Sequence, residues 1–444
     1  MSSIIDLILL KIYDSDGVSI DSRTIKKNEV FFALSGPNFN ANNYIKEVLD
    51  KGASLAIASD KRFENYKNVI VVENPLNTLQ EVAAKHRDKF NIPIIAITGT
   101  NGKTTTKEFL YTILSTKYKT LKTEGNLNNH IGVPLTVLKI NDSHEIALIE
   151  MGASKIGDIS ELCHIAKPNY GIITSIGKAH ISGFESIENI VKTKTELSDY
   201  LCDNRNIFFL NSEIEKLQFL AEKYKNTDCI NIFDKSNING NEISKIKMDK
   251  NSLFLNFEIF TKSNIGLPVK TNIYGEYNFN NIINSVKISD YFDISPEKIK
   301  LALENYQSKN NRSEIREWET NTLILDAYNA NPTSMKAAVE SFYNINEERD
   351  KTLILGDMLE LGNESIEEHK NIINMVKDLF QNSKIYLVGK EFGTAFDEMN
   401  ISSDDKQISI FGNYNEVKEK INKIQNNLIL IKGSRGISLE KIFL

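Results

Sequence analysis

Cysteine, tryptophan and proline are scarce in this sequence, with three, one and eight copies among 444 residues. Cys163, Cys202 and Cys229 stand apart, are odd in number and form no Cys-x-x-Cys pair. That spacing argues against a disulfide framework or a zinc knuckle and fits a reducing compartment. Long apolar runs are missing too. The longest near the start, Ile4 to Ile12, is interrupted by Asp6 and Lys11. It lacks a basic leader and a small-residue cleavage site and is too short to cross a bilayer, so an amphipathic first helix and a cytoplasmic chain without membrane insertion are expected. An excess of positive charge is absent as well. The 53 basic and 59 acidic residues sum to −6, which gives no support to a nucleic-acid or anionic-membrane partner.

What is present is ordinary core material, 41% hydrophobic and 25% charged, enough to fold without a structural metal. A soft prior of ~150 residues per domain predicts about three domains. Residues 1 to 90 mix short strands (Val30–Leu34, Leu55–Ala58, Val69–Val72) with helices and read as a small α/β domain. Asn91 and Pro93 mark the expected hinge. Residues 91 to 308 alternate strands (94–97, 146–150, 171–175, 207–210) with helices, the signature of a mostly parallel sheet covered on both faces. Segments 252–260 and 268–275 are expected to add an antiparallel edge. Residues 309 to 444 alternate again (strands at 322–327, 351–356, 384–388, 408–411 and 427–431) and predict a smaller Rossmann-like sheet without a GxGxxG fingerprint.

The stretch Pro93-Ile-Ile-Ala-Ile-Thr-Gly-Thr-Asn-Gly-Lys-Thr-Thr-Thr-Lys107 concentrates the chemistry. An apolar strand breaks at Gly99 and Gly102, and Lys103 and Thr104 open a helix. Backbone amides and the helix N-terminus then surround one small volume suited to phosphate. Lys103 is placed to reach the outer phosphates and the Thr104 hydroxyl to hold Mg2+. Ile97 stands where the general phosphate-loop pattern has its first glycine, so this is a compact variant of that loop. In open α/β sheets ligands gather at the carboxyl ends of strands. There the chain offers Glu150, ending one strand, and His180, on the loop after the next. Oxygen-rich partners for Mg2+ are what a nucleotide site needs.

Four motifs together resemble the Mur ligase family: Gly99-Thr-Asn-Gly-Lys-Thr-Thr105, the loop Gly125-Asn126-Leu-Asn128-Asn-His-Ile-Gly132-Val-Pro134, Glu150-Met-Gly, and Ala179-His180. Three C-terminal motifs resemble the branch that joins D-alanyl-D-alanine to UDP-N-acetylmuramoyl-tripeptide. They are Asp326-Ala-Tyr328-Asn329-Ala-Asn331-Pro332-Thr-Ser334-Met335, Leu355-Gly-Asp357-Met-Leu-Glu360-Leu-Gly362 and Lys432-Gly-Ser434-Arg435-Gly. The resemblance runs through nearly the whole chain in the family's order. It implies a small N-terminal domain for the UDP-sugar, a central ATP-binding domain and a C-terminal ligase domain. It also implies ATP-driven activation of a substrate carboxylate as an acyl phosphate, which an incoming amine then attacks.

Residue by residue, the resemblance assigns Gly99, Thr100, Asn101, Gly102, Lys103, Thr104 and Thr105 to the phosphates. Thr104, Glu150 and His180 are assigned to Mg2+. The family's carbamylated lysine, an anionic metal ligand, falls at Lys194 in Thr193-Lys194-Thr-Glu196, with Lys192 as the alternative. The adenosine motif appears as Gly275-Glu-Tyr277-Asn278-Phe-Asn-Asn281, tyrosine standing where histidine is common. Arg312 and Asp326 correspond to residues that meet ATP when the domains close. Ser22 and Arg23 match the N-terminal substrate pattern, while the loop Asn38 to Tyr44 departs from it. Asn126, Asn128, Asn329, Asn331, Lys432, Ser434 and Arg435 are further candidates for the substrates, in an enzyme expected to work as a monomer. Two rival readings stand beside this one: a family member adding a single amino acid, though the Asp-Asn-Pro-Arg motif of the diamino-acid branch is absent, and a phosphate-loop ATPase of unrelated role.

Overall fold

The computed structural model describes residues 3–178, 181–184, 186–249, 253–309, 311–346, 348–400 and 407–443. His180 lies outside them. Three parallel sheets follow one another along the chain, as the alternating pattern predicts. The first orders its strands Val18–Ser19, Val30–Phe32, Leu55–Ala58, Val69–Val71. The helix Ile4–Tyr13 buries Ile8, Leu9 and Ile12 in the core of that sheet and opens on a capping box between Ser3 and Asp6. The helix Pro75–Arg87 covers the sheet and turns Ala83 toward the central core.

The central sheet has six parallel strands in the order Ile230–Phe233, Ile207–Asn211, Tyr170–Ile173, Ile94–Thr98, Ile146–Glu150, Thr120–Lys122. Ile94–Thr98 is buried along its whole length, which explains its unbroken apolar run. The chain first fills the sheet on one side of it, with Thr120–Lys122 and Ile146–Glu150, and then crosses to Tyr170–Ile173 on the other, so the crevice at its carboxyl end is a topological switch point. The short strand Thr120–Lys122 has no periodic signal in the sequence and was not expected. The predicted antiparallel edge is a separate three-stranded sheet instead, Ile243–Asp249, Phe254–Thr261 and Gly266–Tyr274. Its apolar face, including Ile246, Phe257 and Val269, packs in the same core as the helix Phe279–Tyr291. The central sheet therefore ends on the parallel strand Ile230–Phe233.

The third sheet orders Glu314–Trp318, Asn321–Asp326, Asn427–Lys432, Asp350–Gly356, Lys384–Val388, Ile408–Phe411. Only Glu314–Trp318 runs antiparallel. The expected hinge near Asn91 is tied down on one side. The buried Arg87 guanidinium donates to the carbonyls of Phe90, Ile92 and Ala166 and to Asn169 Oδ1. One correction concerns the cysteines. Cys202 and Cys229 are joined in a disulfide, and only Cys163 is free. The two lie 27 positions apart, a separation that carries no local signature, and meet because the Ile187–Asp203 helix ends beside the segment entering Ile230–Phe233.

Candidate active site

Gly99 and Gly102 shape the loop after Ile94–Thr98. Gly99 has φ +144°, and a Cβ there would come within 2.2 Å of Thr174 Oγ1. Gly102 has φ +81° and forms the N-cap of the helix Lys103–Leu114, a left-handed conformation that glycine adopts without cost. The loop is braced from below. Thr100 N–H donates to Ser175 O at 2.9 Å, Asn101 N–H to Ser175 Oγ at 2.8 Å, and Thr174 Oγ1 to Asn101 O at 2.6 Å. Lys103 Nζ bridges Gly99 O and Thr100 O at 2.7 and 3.1 Å. Burial pulls the Lys103 pKa below the usual ammonium value, while the Glu150 carboxylate opposes that shift.

Glu150 ends its strand beside this loop. Its Oε1 accepts from Thr104 Oγ1 at 3.2 Å and from Asn128 Nδ2 at 2.7 Å. Its Oε2 is buried and accepts no hydrogen bond among the described residues. Lys107 Nζ stands 3.5 Å away, donating instead to Thr123 O at 2.6 Å. The Lys107 ammonium offsets the charge of this oxygen at ion-pair range but gives it no hydrogen bond, a deficit that is costly unless a further cation completes it. With the Thr104 hydroxyl alongside, the donor set is hard oxygen and suits Mg2+. Lys107 is a buried contributor that sequence reasoning missed, since a lysine one turn beyond Lys103 looks like a solvated helix residue.

Lys194 faces the same cleft from the helix Ile187–Asp203, with its ammonium 5.7 Å from the Phe184 ring centre. Burial, reinforced by the Lys103 charge, lowers its pKa to about 7. Its motif partner Glu196 turns away and accepts from the amides of Gly157 and Ser160 at 2.7 and 2.9 Å, so it orders the start of the helix Asp158–Ala166.

The opposite wall comes from the second and third domains together. Asn278 Nδ2 donates to Tyr274 O and Ser313 Oγ at 2.8 and 3.1 Å. Asn281 Nδ2 donates to Asn278 Oδ1 at 3.0 Å, and its Oδ1 accepts from Thr106 Oγ1 at 3.2 Å. Asn281 is thereby a brace under Gly102, whose absent Cβ would lie 2.3 Å from Asn281 Oδ1. Tyr277 shares a hydrogen bond of 2.8 Å with Ser313 and points its hydroxyl toward Asp326. The Arg312 guanidinium stacks on Tyr328, 3.7 Å from the ring centre. Gly99 to Thr105, Asn126, Asn128, Glu150, Lys194, Asn278, Asn281, Arg312, Asp326, Asn329 and Lys432 all line one cleft.

Other candidates are placed differently. Lys432 is buried, and its ammonium pairs with Asp326 Oδ2 at 2.6 Å across adjacent strand ends in register. Ser434 Oγ accepts from Leu359 N–H at 3.0 Å and is buried outside the cleft lining. The Arg435 guanidinium lies 5.3 Å from the Tyr328 ring centre, in an adjoining recess. Asn331 caps the helix Pro332–Tyr343 and pairs its side chain with that of Asn101 through Nδ2 to Oδ1 at 2.7 Å. Asn329 is exposed at the cleft edge, its Oδ1 turned to the Ala330 amide. Ser22 and Arg23 lie apart from the cleft, with Arg23 in a bidentate pair with Asp21 at the surface. Ser313, whose hydroxyl meets both Tyr277 and Asn278, had no motif to announce it.

Residues 97–288 match the Mur ligase middle domain and residues 311–435 the Mur ligase glutamate ligase domain. A Bacillus subtilis UDP-N-acetylmuramoyl-tripeptide--D-alanyl-D-alanine ligase is 31% identical over 96% of this chain and 92% of its own. A namesake from Buchnera aphidicola (subsp. Baizongia pistaciae) is 33% identical, covering 96% and 91%. Among solved structures, MurF from Acinetobacter baumannii superposes with a TM-score of 0.82 at 28% identity, covering 96% of this chain and 92% of that one. MurF ligase from Thermotoga maritima, solved with ADP, has the same fold, with a TM-score of 0.82 at 24% identity over 100% and 97% of the two chains. By sequence and by fold, the chain belongs to the Mur ligase family.

Proposed function

We propose that this chain is the ATP-dependent ligase that joins D-alanyl-D-alanine to UDP-N-acetylmuramoyl-tripeptide, giving the pentapeptide precursor of peptidoglycan, ADP and phosphate. The observation that carries the chemistry is the meeting of the phosphate loop, the half-satisfied Glu150 and the Lys194 amine on one wall of a cleft whose other wall includes Arg312 and Asp326. The nucleotide part of the reading is supported by the ADP that the Thermotoga relative carries. The dipeptide part is supported by the shared name of relatives matched over nearly their full length.

In this reading the loop amides from Thr100 to Thr104 and the Lys103 ammonium receive the β- and γ-phosphates. Thr104 and Glu150 hold Mg2+, with His180 and a carbamylated Lys194 as further ligands. Bound Mg2+ supplies charge neutralisation at the transferring phosphoryl group. The tripeptide carboxylate attacks the γ-phosphorus and ADP leaves. The dipeptide amine then attacks the acyl carbonyl, loses its proton, and expels phosphate. The protein's part is to align these groups and hold them away from water. Arg312 sits where it can meet phosphate oxygens, and Asp326 where it can meet the ribose, once Tyr328 and Lys432 hold them in place. The N-terminal domain, about residues 1 to 90, takes the UDP-sugar. The central domain runs to about 308 and the ligase domain from there on.

One chain carries both walls, so no second copy is needed and a monomer suffices. Among the described residues no helix is long and apolar enough to cross a membrane, and a reaction drawing on ATP and a nucleotide-linked precursor belongs in the cytoplasm. The test is product mass spectrometry with the purified chain, ATP, Mg2+, UDP-N-acetylmuramoyl-tripeptide and D-alanyl-D-alanine. ATP consumption is expected only when both acceptors are present. Equal ATP turnover without the dipeptide would reject this reading in favour of an unrelated ATPase. Incorporation of a free amino acid in place of the dipeptide would move the chain to another branch of the family.

A further inference from the structure

Lys107 carries a buried charge that the reaction outlined above does not use. It lies one turn beyond Lys103 on the helix Lys103–Leu114 and is wholly enclosed. A lysine in such a place needs partners for its ammonium. They are the Thr123 carbonyl at 2.6 Å, Glu108 Oε1 at 3.3 Å and Glu150 Oε2 at 3.5 Å. Thr123 arranges the group. It follows the strand Thr120–Lys122, donates its amide to Leu148 O at 2.9 Å and accepts from the Glu150 amide on Oγ1 at 2.9 Å. One residue therefore places both the ammonium and the carboxylate it faces. Glu108 is shared, because its other oxygen pairs with Lys122 Nζ at 2.5 Å. The two ammonium groups of Lys107 and Lys122 thus balance the two carboxylates of Glu108 and Glu150. Lys103, whose charge reaches Glu150 across the loop, leaves the surroundings of that carboxylate positive.

We propose, on the Mg2+ reading of Thr104 and Glu150 given above, that Lys107 is a positioning residue that makes metal binding depend on the nucleotide. Its charge keeps Glu150 from holding a divalent ion alone, and the ion is retained only with phosphates beside it. Lys107 touches no ligand itself, for it is outside the cleft lining and reaches only the adjoining recess. Two effects of the ammonium oppose one another. It holds the Glu150 carboxylate in one orientation, which spares an arriving cation the ordering of a side chain. It also repels that cation. In a buried site screening is weak, and repulsion between a divalent ion and an ammonium on the same carboxylate exceeds the rotamer freedom of one glutamate. The charge effect wins. Phosphates on the loop amides bring negative charge that offsets the ammonium, so metal and nucleotide each tighten the other by the same factor.

The experiment titrates Mn2+ into the full chain at pH 8, with and without saturating ADP, and reads protein-bound metal by water-proton relaxation. The wild type is compared with Lys107→Met, Lys107→Arg, Glu108→Gln and Lys107→Met/Glu150→Gln. In the wild type, ADP is expected to tighten Mn2+ binding at least about tenfold. Lys107→Met should bind Mn2+ alone about tenfold more tightly and lose most of the dependence on ADP. A lysine that served only to pack the site would give the opposite sign. Lys107→Arg keeps the charge and should stay near wild type. The gain in Lys107→Met should vanish when Glu150→Gln is added, because the two groups act on one carboxylate. Glu108→Gln leaves the ammonium more fully to Glu150 and should weaken Mn2+ binding about threefold. That side chain is partly exposed, so this variant decides the matter even if Lys107→Met does not fold. Unchanged or weaker Mn2+ binding in folded Lys107→Met would overturn the proposal, as would unchanged or tighter binding in Glu108→Gln. Equal Mn2+ affinity with and without ADP in the wild type would overturn it too. Absence of Mn2+ binding under both conditions would reject the metal site and this proposal together, whereas absence of dipeptide ligation would reject the ligase reading and leave the metal titration to stand by itself.

Discussion

Replacing Lys194 tests the metal half of the proposed site most directly. Carbon dioxide adds only to a neutral amine. An ordinary lysine of pKa 10.4 is neutral about once in a thousand molecules at pH 7.5. Burial of Lys194 beside the Lys103 charge brings its pKa to about 7, so roughly three-quarters of the side chains are neutral at that pH, a gain of several hundredfold. Burial thus makes the amine available to carbon dioxide, and the carbamate anion so formed would be held by neighbouring cations that offset its own burial. Incubation with 13C-labelled bicarbonate is expected to give one protein carbamate signal by NMR. Because carbamate formation also releases a proton, at fixed dissolved carbon dioxide and below saturation that signal should fall roughly thirtyfold between pH 7.5 and 6.5, the neutral fraction dropping about threefold while the proton activity rises tenfold. Lys194→Ala should abolish the signal. It should also lower kcat by about 10²- to 10³-fold, the usual effect of losing one preorganised charged group, and short carboxylic acids should restore part of the rate. A wild-type protein without the labelled carbamate at pH 7.5 would refute the reasoning, and so would an undiminished signal in Lys194→Ala.

Two further substitutions probe the scaffold. Gly102→Ala places a methyl 2.3 Å from Asn281 Oδ1 at a φ of +81°. The left-handed backbone costs about 1–2 kcal/mol, and displacing Asn281 from Thr106 and Asn278 costs about 1 kcal/mol per bond. Denaturation should therefore show a loss of about 3 kcal/mol together with weaker nucleotide binding; a loss below ~0.5 kcal/mol would show that the brace yields freely. His369 in the third domain is buried as a defined neutral tautomer, accepting from Met358 N–H at 3.0 Å on Nε2 and donating from Nδ1 to Ser365 O at 2.6 Å. Burial lowers its pKa, so the unfolded chain binds the proton more readily. Stability should be full above about pH 6.5 and decline below it, with a slope of at most about 1.4 kcal/mol per pH unit from this group. His369→Phe should be less stable at pH 7.5 but lack that component of the slope. An identical slope in the variant would assign the acid sensitivity elsewhere.

Local sequence was enough for the features in which neighbouring residues carry the whole signal. The buried run 94–97, the two glycines and Lys103-Thr104 form a strand, a turn and a helix start within a dozen residues, and the structure places them so. The alternation of elements likewise predicted the parallel sheets, because crossover helices need that spacing. Features made by short or half-buried segments were hidden. Thr120–Lys122 is too short for a period, and Ile243–Asp249 alternates polar and apolar residues over a stretch that also reads as loop. Among the site residues, Asn126, Glu150, Lys194, Asn278 and Arg312 were legible as motif members and reach one cleft. Lys432 was equally legible and lines the cleft while paired with Asp326, and Ser434 is turned to the Leu359 amide outside that lining, since a motif records which residues recur and not what each one touches.

The sequence by itself determined the order of the parallel sheets, the glycine loop between strand and helix and the chemical types available to it, because these follow from contiguous residues and strand periodicity. Only the tertiary structure decided which polar groups are already satisfied. It left Glu150 Oε2 buried and without a hydrogen-bond donor among the described residues, tied Lys432 to Asp326, set Asn281 beneath Gly102, pushed the Lys194 amine toward neutrality and joined Cys202 to Cys229. The reason is physical. Desolvation and hydrogen-bond competition depend on what else is packed against a group, and for these groups the deciding neighbours come from distant parts of the chain.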